Sequence, residues 1–136
     1  RNNLRLAGRA ATLPAMTQQD TFRWIYHLSR RADWDRARAA GSYEGSREDT
    51  ADGFLHFSTA LQVTGSAAKH RSGERGLVLL EVDSAALGEA LKWEPARGGE
   101  LFPHLYGPLP VSAVAAEFDL PLGEDGLHVF PAMKAE

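Results

Sequence analysis

The chain has 136 residues, 43% of them hydrophobic and 24% charged, which suits one soluble domain around one core. A net charge of −3 argues against a chain-wide surface for polyanions, so nucleic acid is not an expected partner. There is no cysteine, which excludes disulfides and thiolate metal sites, and no apolar run near the roughly 20 residues a bilayer span requires. A cytoplasmic protein with no membrane partner is the expectation.

Residues 1–20 hold three arginines, no acid before Asp20 and little periodic hydrophobicity. Such a stretch can be a transit peptide. The plainer expectation is a disordered or artificial leader with the natural start at Met16, which leaves residues 21–136 as a single folded domain.

In "TFRWIYHLS", strand alternation puts Phe22, Trp24, Tyr26 and Leu28 on one face and Arg23, Ile25 and His27 on the other. "RRADWDRARAAG" predicts a short helix with Ser29 as N-cap and Gly41 as its stop. Residues 42–52 read as a polar loop. "GFLHFST" predicts a second strand, with Leu55 and Phe57 on one face and Phe54, His56 and Ser58 on the other. Thr59-x-x-Gln62 has capping-box spacing and starts a second helix, which Gly65 weakens and Gly73 ends.

"GLVLLEV" is apolar without alternation, as a strand covered on both faces would be. "SAALGEAL" reads as a turn or brief helix and "KWE" as a short strand. "ELFPHLYG" reads as a strand with a bulge or edge position at Pro103, because proline brings no N–H to a ladder. "PVSAVAAEFDL" follows as a strand, with or without a helical turn, and "GLHVFP" closes the domain. About six strands and two modest helices in this order predict an α+β fold with a mixed or antiparallel sheet.

His27 and His56 each lie on the less apolar side of a strand. Glu100, Phe102, His104 and Tyr106 share one parity, so three strands offer polar groups to a common side. Alone, each histidine reads as a hydrogen-bonded core or rim residue; together with Glu100 they read as a cleft. Ser58 and Thr59 fit helix caps, Tyr106 and Trp93 fit the core, and His70 and His128 fit the surface. Glu44, Glu48, Asp49 and Asp52 read as solvated loop residues. There is no phosphate loop, dinucleotide fingerprint, nucleophile elbow or EF-hand spacing. A metal-dependent hydrolase using His27, His56, His104 and Glu100 is open by spacing, but nothing specific supports it, and no metal is expected.

"IYHLS", "GFLHFST" and "GGELFPHLYGPLP", in that order, resemble the signatures of the DUF952 family of small bacterial proteins, over roughly residues 22–120. The resemblance implies an ADP-ribosyltransferase-like fold, in which a split sheet surrounds a cleft for nicotinamide adenine dinucleotide (NAD). It implies His27 on a ribose hydroxyl, His56 where such enzymes carry a nicotinamide-stacking tyrosine, and Glu100 at the reacting ribose. Ser58, His104 and Tyr106 would stand beside them. NAD or a related ADP-ribose or nucleotide compound is then the expected ligand, with cleavage or transfer at the ribose C1. The other expectation is a module of the same fold that binds a small molecule without turnover, since His56 replaces the tyrosine.

Overall fold

The computed structural model describes residues 22–135, and the leader expected over residues 1–20 lies outside the described residues. The first sheet has the order β1 (Trp24–Arg30), β4 (Leu77–Asp83), β8 (Val114–Leu120). The second has the order β3 (Leu55–His56), β6 (Leu101–Leu105), β5 (Leu91–Pro95). A two-stranded ribbon pairs β2 (Ser42–Tyr43) with β7 (Leu109–Pro110). Every described ladder is antiparallel. The helices are α1 (Arg31–Ala40), α2 (Arg47–Asp52) and α3 (Ala60–His70). The fold is α+β, with the antiparallel sheet split into segments.

β4 is the middle strand of its sheet and is buried from Leu77 to Val82, which is why it reads as a continuous apolar run. Val78, Leu80 and Val82 face a core shared with Ile25, Trp34, Leu55, Phe57 and Leu105. Leu77 and Leu79 face the opposite core with Tyr26, Val63 and Leu120. Alternation along β1 divides the same way, Ile25 to the first core and Tyr26 to the second. On that second face the buried hydroxyl of Tyr26 donates to Glu81 at 2.8 Å and accepts the Lys134 backbone N–H at 2.8 Å.

Three local expectations need correction. Arg30, not Ser29, caps α1, because β1 stays in its ladder through Arg30. The 42–52 stretch is not a loop throughout. It contains β2 and the helix α2, begun by a Ser46–Asp49 capping box. Pro103 sits in a middle strand with regular pairing to β5, without a bulge.

The geometry at Pro103 explains why that strand tolerates it. Trp93 is its partner on β5, and the Pro103 carbonyl points the other way, accepting the Phe57 N–H at 3.0 Å. In an antiparallel ladder a residue turns its N–H and C=O to the same side. The missing donor therefore falls on the β3 side, and β3 ends at His56. Two residues later the chain joins the other sheet, with reciprocal Tyr26–Ser58 backbone bonds of 2.7 and 2.8 Å. Residues 55–58 thus hand the chain from one sheet to the other.

Gly45 precedes α2 with φ +93°, and a Cβ there would lie 2.3 Å from Leu55 Cδ2 and 2.8 Å from Asp49 Cβ. Gly41 has φ +87° with open space around it. Gly41→Ala is expected to cost about 1 kcal/mol from backbone strain alone. Gly45→Ala adds overpacking and is expected to cost about 2–4 kcal/mol in urea denaturation. Equal losses would show that the Gly45 contact relaxes freely.

Candidate functional site

A cleft of about 520 Å³ opens where the two sheets part. β1 contributes Tyr26, His27 and Leu28; the crossover segment contributes His56, Phe57 and Ser58; and β6 contributes Phe102 and His104. The lining is completed by Glu48, Asp49 and Asp52 of α2 and by Ser66, Lys69, His70 and Arg71 from α3 and its end, of which the exposed Glu48, Asp52, Lys69 and His70 mark its mouth. Such a volume suits a small molecule.

His27 is 3% exposed. Its Nδ1 lies 2.6 Å from the His56 carbonyl oxygen, which only accepts, so Nδ1 carries the proton. Nε2 then accepts from the Tyr43 hydroxyl at 2.8 Å. Burial pushes His27 below histidine's ordinary value, in keeping with this neutral tautomer. Tyr43 and Phe57 pack against the ring, each with centroids 5.2 Å away. Both nitrogens of His27 are thus engaged within the protein, and the ring locks the crossover segment to β1 and β2.

His56 has the opposite character. Its Nδ1 lies 2.6 Å from Asp49 Oδ1 and its Nε2 2.9 Å from Asp52 Oδ2, both carboxylate partners. The Asp49 bond above all raises the His56 pKa and favours the imidazolium. Asp49 is 4% exposed, contrary to its reading as a solvated residue. It accepts from Ser46 N (2.8 Å), Ser46 Oγ (2.9 Å), His56 N (3.0 Å) and His56 Nδ1. Burial by itself would raise its pKa; these donors, His56 foremost, outweigh burial and hold the carboxyl well below its usual range. Nearby, the Arg30 guanidinium keeps Glu48 low in the same way.

His104 pairs across the ladder with His56, and the two rings meet edge to face at 5.7 Å. Phe54 stacks on His104 at 4.1 Å, and Nδ1 of His104 lies 2.8 Å from Glu94 Oε1. Tyr106 donates to that same oxygen at 2.8 Å. It is 41% exposed rather than a core residue. Ser58 lines the cleft and meets Ser66 Oγ at 3.2 Å.

The structure therefore brings His27, His56, Ser58 and His104 to one cleft, with Tyr106 behind His104. Glu100 is not among the lining residues and is exposed. Gly98 and Gly99, at φ +66° and +80°, turn the chain before it, and the Ala96 N–H bonds its carbonyl. The expected parity thus begins only at Phe102. His128, expected on the surface, is buried and donates through Nε2 to the Glu74 carbonyl at 2.7 Å. Sequence reading missed Asp49, Tyr43 and Glu94. The Ser46-x-x-Asp49 capping-box spacing marks the first, and Tyr43 is the one large aromatic in a polar stretch. Glu94 carries no local signal. Among the described residues, no group of three or more His, Asp or Glu side chains converges as metal ligands, and no helix is long and apolar enough to cross a membrane.

The two histidines respond to pH with opposite sign. His56 is raised above the ordinary value of about 6.5, so its stabilisation is complete below that pH and is lost as pH climbs through the raised value. His27 is lowered, so its contribution is complete above about pH 6.5 and is lost as pH falls through the lowered value. Thermal melts from about pH 5 to 9 should show a decline on both sides. His56→Gln should flatten the alkaline decline and leave the acid one. An unchanged alkaline limb would disprove the His56 assignment.

The crystal structure of protein CC0527 from Caulobacter crescentus is similar, with 52% identity over 78% of this chain and 93% of that chain and a TM-score of 0.76. The solution NMR structure of CC0527 gives 53% identity over 76% of this chain and 90% of that chain, with a TM-score of 0.70. No curated protein matches the sequence. The DUF952 family model, described as a protein of unknown function, matches residues 28–117. That match covers more than half of the chain and includes His56 and His104 of the cleft, with His27 just ahead of it, and the chain belongs to the DUF952 family.

Proposed function

We propose that the cleft binds NAD or a related ADP-ribose compound, with the nicotinamide end inside and the phosphates at the mouth. The observation that carries this reading is the open edge of β1. Odd-numbered residues of β1 face β4, as the Arg31 N–H bond to the Gly76 carbonyl continues, whereas Tyr26 turns its N–H and C=O outward to Ser58. By the same alternation Leu28 turns one donor and one acceptor into the cleft, beyond the point where Ser58 departs. A planar ring bearing a carboxamide needs that pair, and Phe57, Phe102 and His104 supply flat walls beside it. Lys69 stands at the mouth without an ion pair to any described residue, a suitable neighbour for phosphate.

Binding without turnover is a second reading, favoured by the exposed position of Glu100 outside the cleft lining. A carboxylate stabilises an oxocarbenium-like centre only from close range.

Calorimetric titration with NAD, ADP-ribose and nicotinamide tests the binding reading. Micromolar-to-millimolar affinity for NAD and ADP-ribose is expected. Lys69→Glu should weaken both roughly tenfold and leave nicotinamide unaffected, since only the phosphates meet that charge. Absence of heat with all three compounds at millimolar concentration would end this reading.

A further inference from the structure

The three histidines of the cleft differ in what their ring nitrogens are free to do. His27 uses both, on the His56 carbonyl and the Tyr43 hydroxyl. His56 uses both, on Asp49 and Asp52. His104 uses only Nδ1, on Glu94. Among the described residues its Nε2 has no hydrogen-bond partner, and it is not one of the nitrogens sealed in packing. The ring lines the cleft while Glu94 does not, so Nδ1 points to the outer side and Nε2 is left for a guest.

The surroundings of His104 hold this arrangement in place. Glu94 is kept ionised, chiefly by the His104 bond and then by the Tyr106 hydroxyl. An ionised carboxylate only accepts, so in the neutral ring Nδ1 carries the hydrogen and Nε2 the lone pair. Phe54 stacked at 4.1 Å stops the ring from rotating. A carboxylate behind an imidazole, with the far nitrogen facing a reactant, is the arrangement of a histidine that moves protons.

We propose that His104 is the general base of this cleft, accepting a proton at Nε2 from the water that attacks the ribose C1 of bound NAD, with Glu94 and Tyr106 as positioning residues. The proposal rests on the NAD-binding reading and adds a hydrolytic reaction to it. The water oxygen bonds to C1, the C1–N bond breaks, and its electron pair neutralises the pyridinium nitrogen of the departing nicotinamide. The water proton passes to Nε2 and then to solvent. NAD and water thus give ADP-ribose, nicotinamide and one proton.

The test measures nicotinamide release and, separately, NAD affinity on the same preparations. Wild-type protein is expected to release nicotinamide and, in water enriched in oxygen-18, to label ADP-ribose at C1. His104→Gln should lower kcat by about 100-fold or more, a much larger loss than the fall in NAD affinity from removing one wall of the ring pocket. Glu94→Gln should lower kcat by about tenfold with KM unchanged, and Glu94→Asp should recover part of it. Imidazole nitrogen NMR supplies a readout that needs no turnover. It should show His104 as the Nδ1–H tautomer in wild type and a mixture of tautomers in Glu94→Gln. Wild-type protein that binds NAD without hydrolysing it would overturn this proposal and leave the binding reading standing. Failure to bind NAD would remove both. Full turnover in His104→Gln, or an Nε2–H tautomer in wild type, would overturn the assignment of the base.

Discussion

A carboxylate taken out of water is among the more costly things a small domain can bury, and it persists only when donors surround it. Asp49 meets that requirement with donors from two directions: Ser46 at the start of its own helix, and the backbone and ring of His56 on β3. The same contacts dock α2 against β3 and favour the charged form of His56. They also place the His56 carbonyl where His27 can reach it. From there the constraint passes through the His27 ring to Tyr43 and so to the β2–β7 ribbon. Removing one partner would strand a buried charge or a buried donor, which costs far more than the single bond suggests. The wall of the cleft is therefore one connected polar network laid against an aromatic core.

Much of the scaffold was readable from strand parity. The alternation in "TFRWIYHLS" and "GFLHFST" separates Ile25 and Phe57 from Tyr26 and His56 as the structure does. The unbroken apolar run of β4 marks its central place, because both of its faces are covered. Turn chemistry was harder to read. Two successive glycines reset the backbone ahead of Glu100, so parity could not be carried back across them. The acidic run before Gly53 looks solvated by composition, yet Ser46 converts one of its members into a buried cap. Glu94 was out of reach, since its importance comes from a diagonal neighbour across a hairpin whose register no local pattern specifies.

Pro103 shows how a residue poorly suited to a sheet can shape one. Proline lacks a donor, and here the gap falls on the side of β3, the shortest strand of its sheet. Pairing with β3 stops, and the released chain crosses to β1 within two residues. The space between the diverging sheets is where the cleft lies. The opening is thus a consequence of ladder chemistry, and His104, next to the proline, is carried to its wall by the same strand.

The anchoring of Lys134 on Tyr26 joins residues 108 positions apart. Its ammonium also lies 3.5 Å from Glu81 and 3.9 Å from the centroid of the Trp24 ring. Chains leave the ribosome from the N-terminus, so Tyr26 and Glu81 emerge well before the segment that covers them. β4 likewise waits for β8 as its second neighbour. During translation the nascent sheet presents an unpaired edge until β8 has emerged, and a half-covered polar pair until Lys134 follows. The sheet is therefore completed in two stages, strand pairing by β8 first and the cap over Tyr26 and Glu81 second, and its exposed edge is a site for unwanted pairing until the first is done.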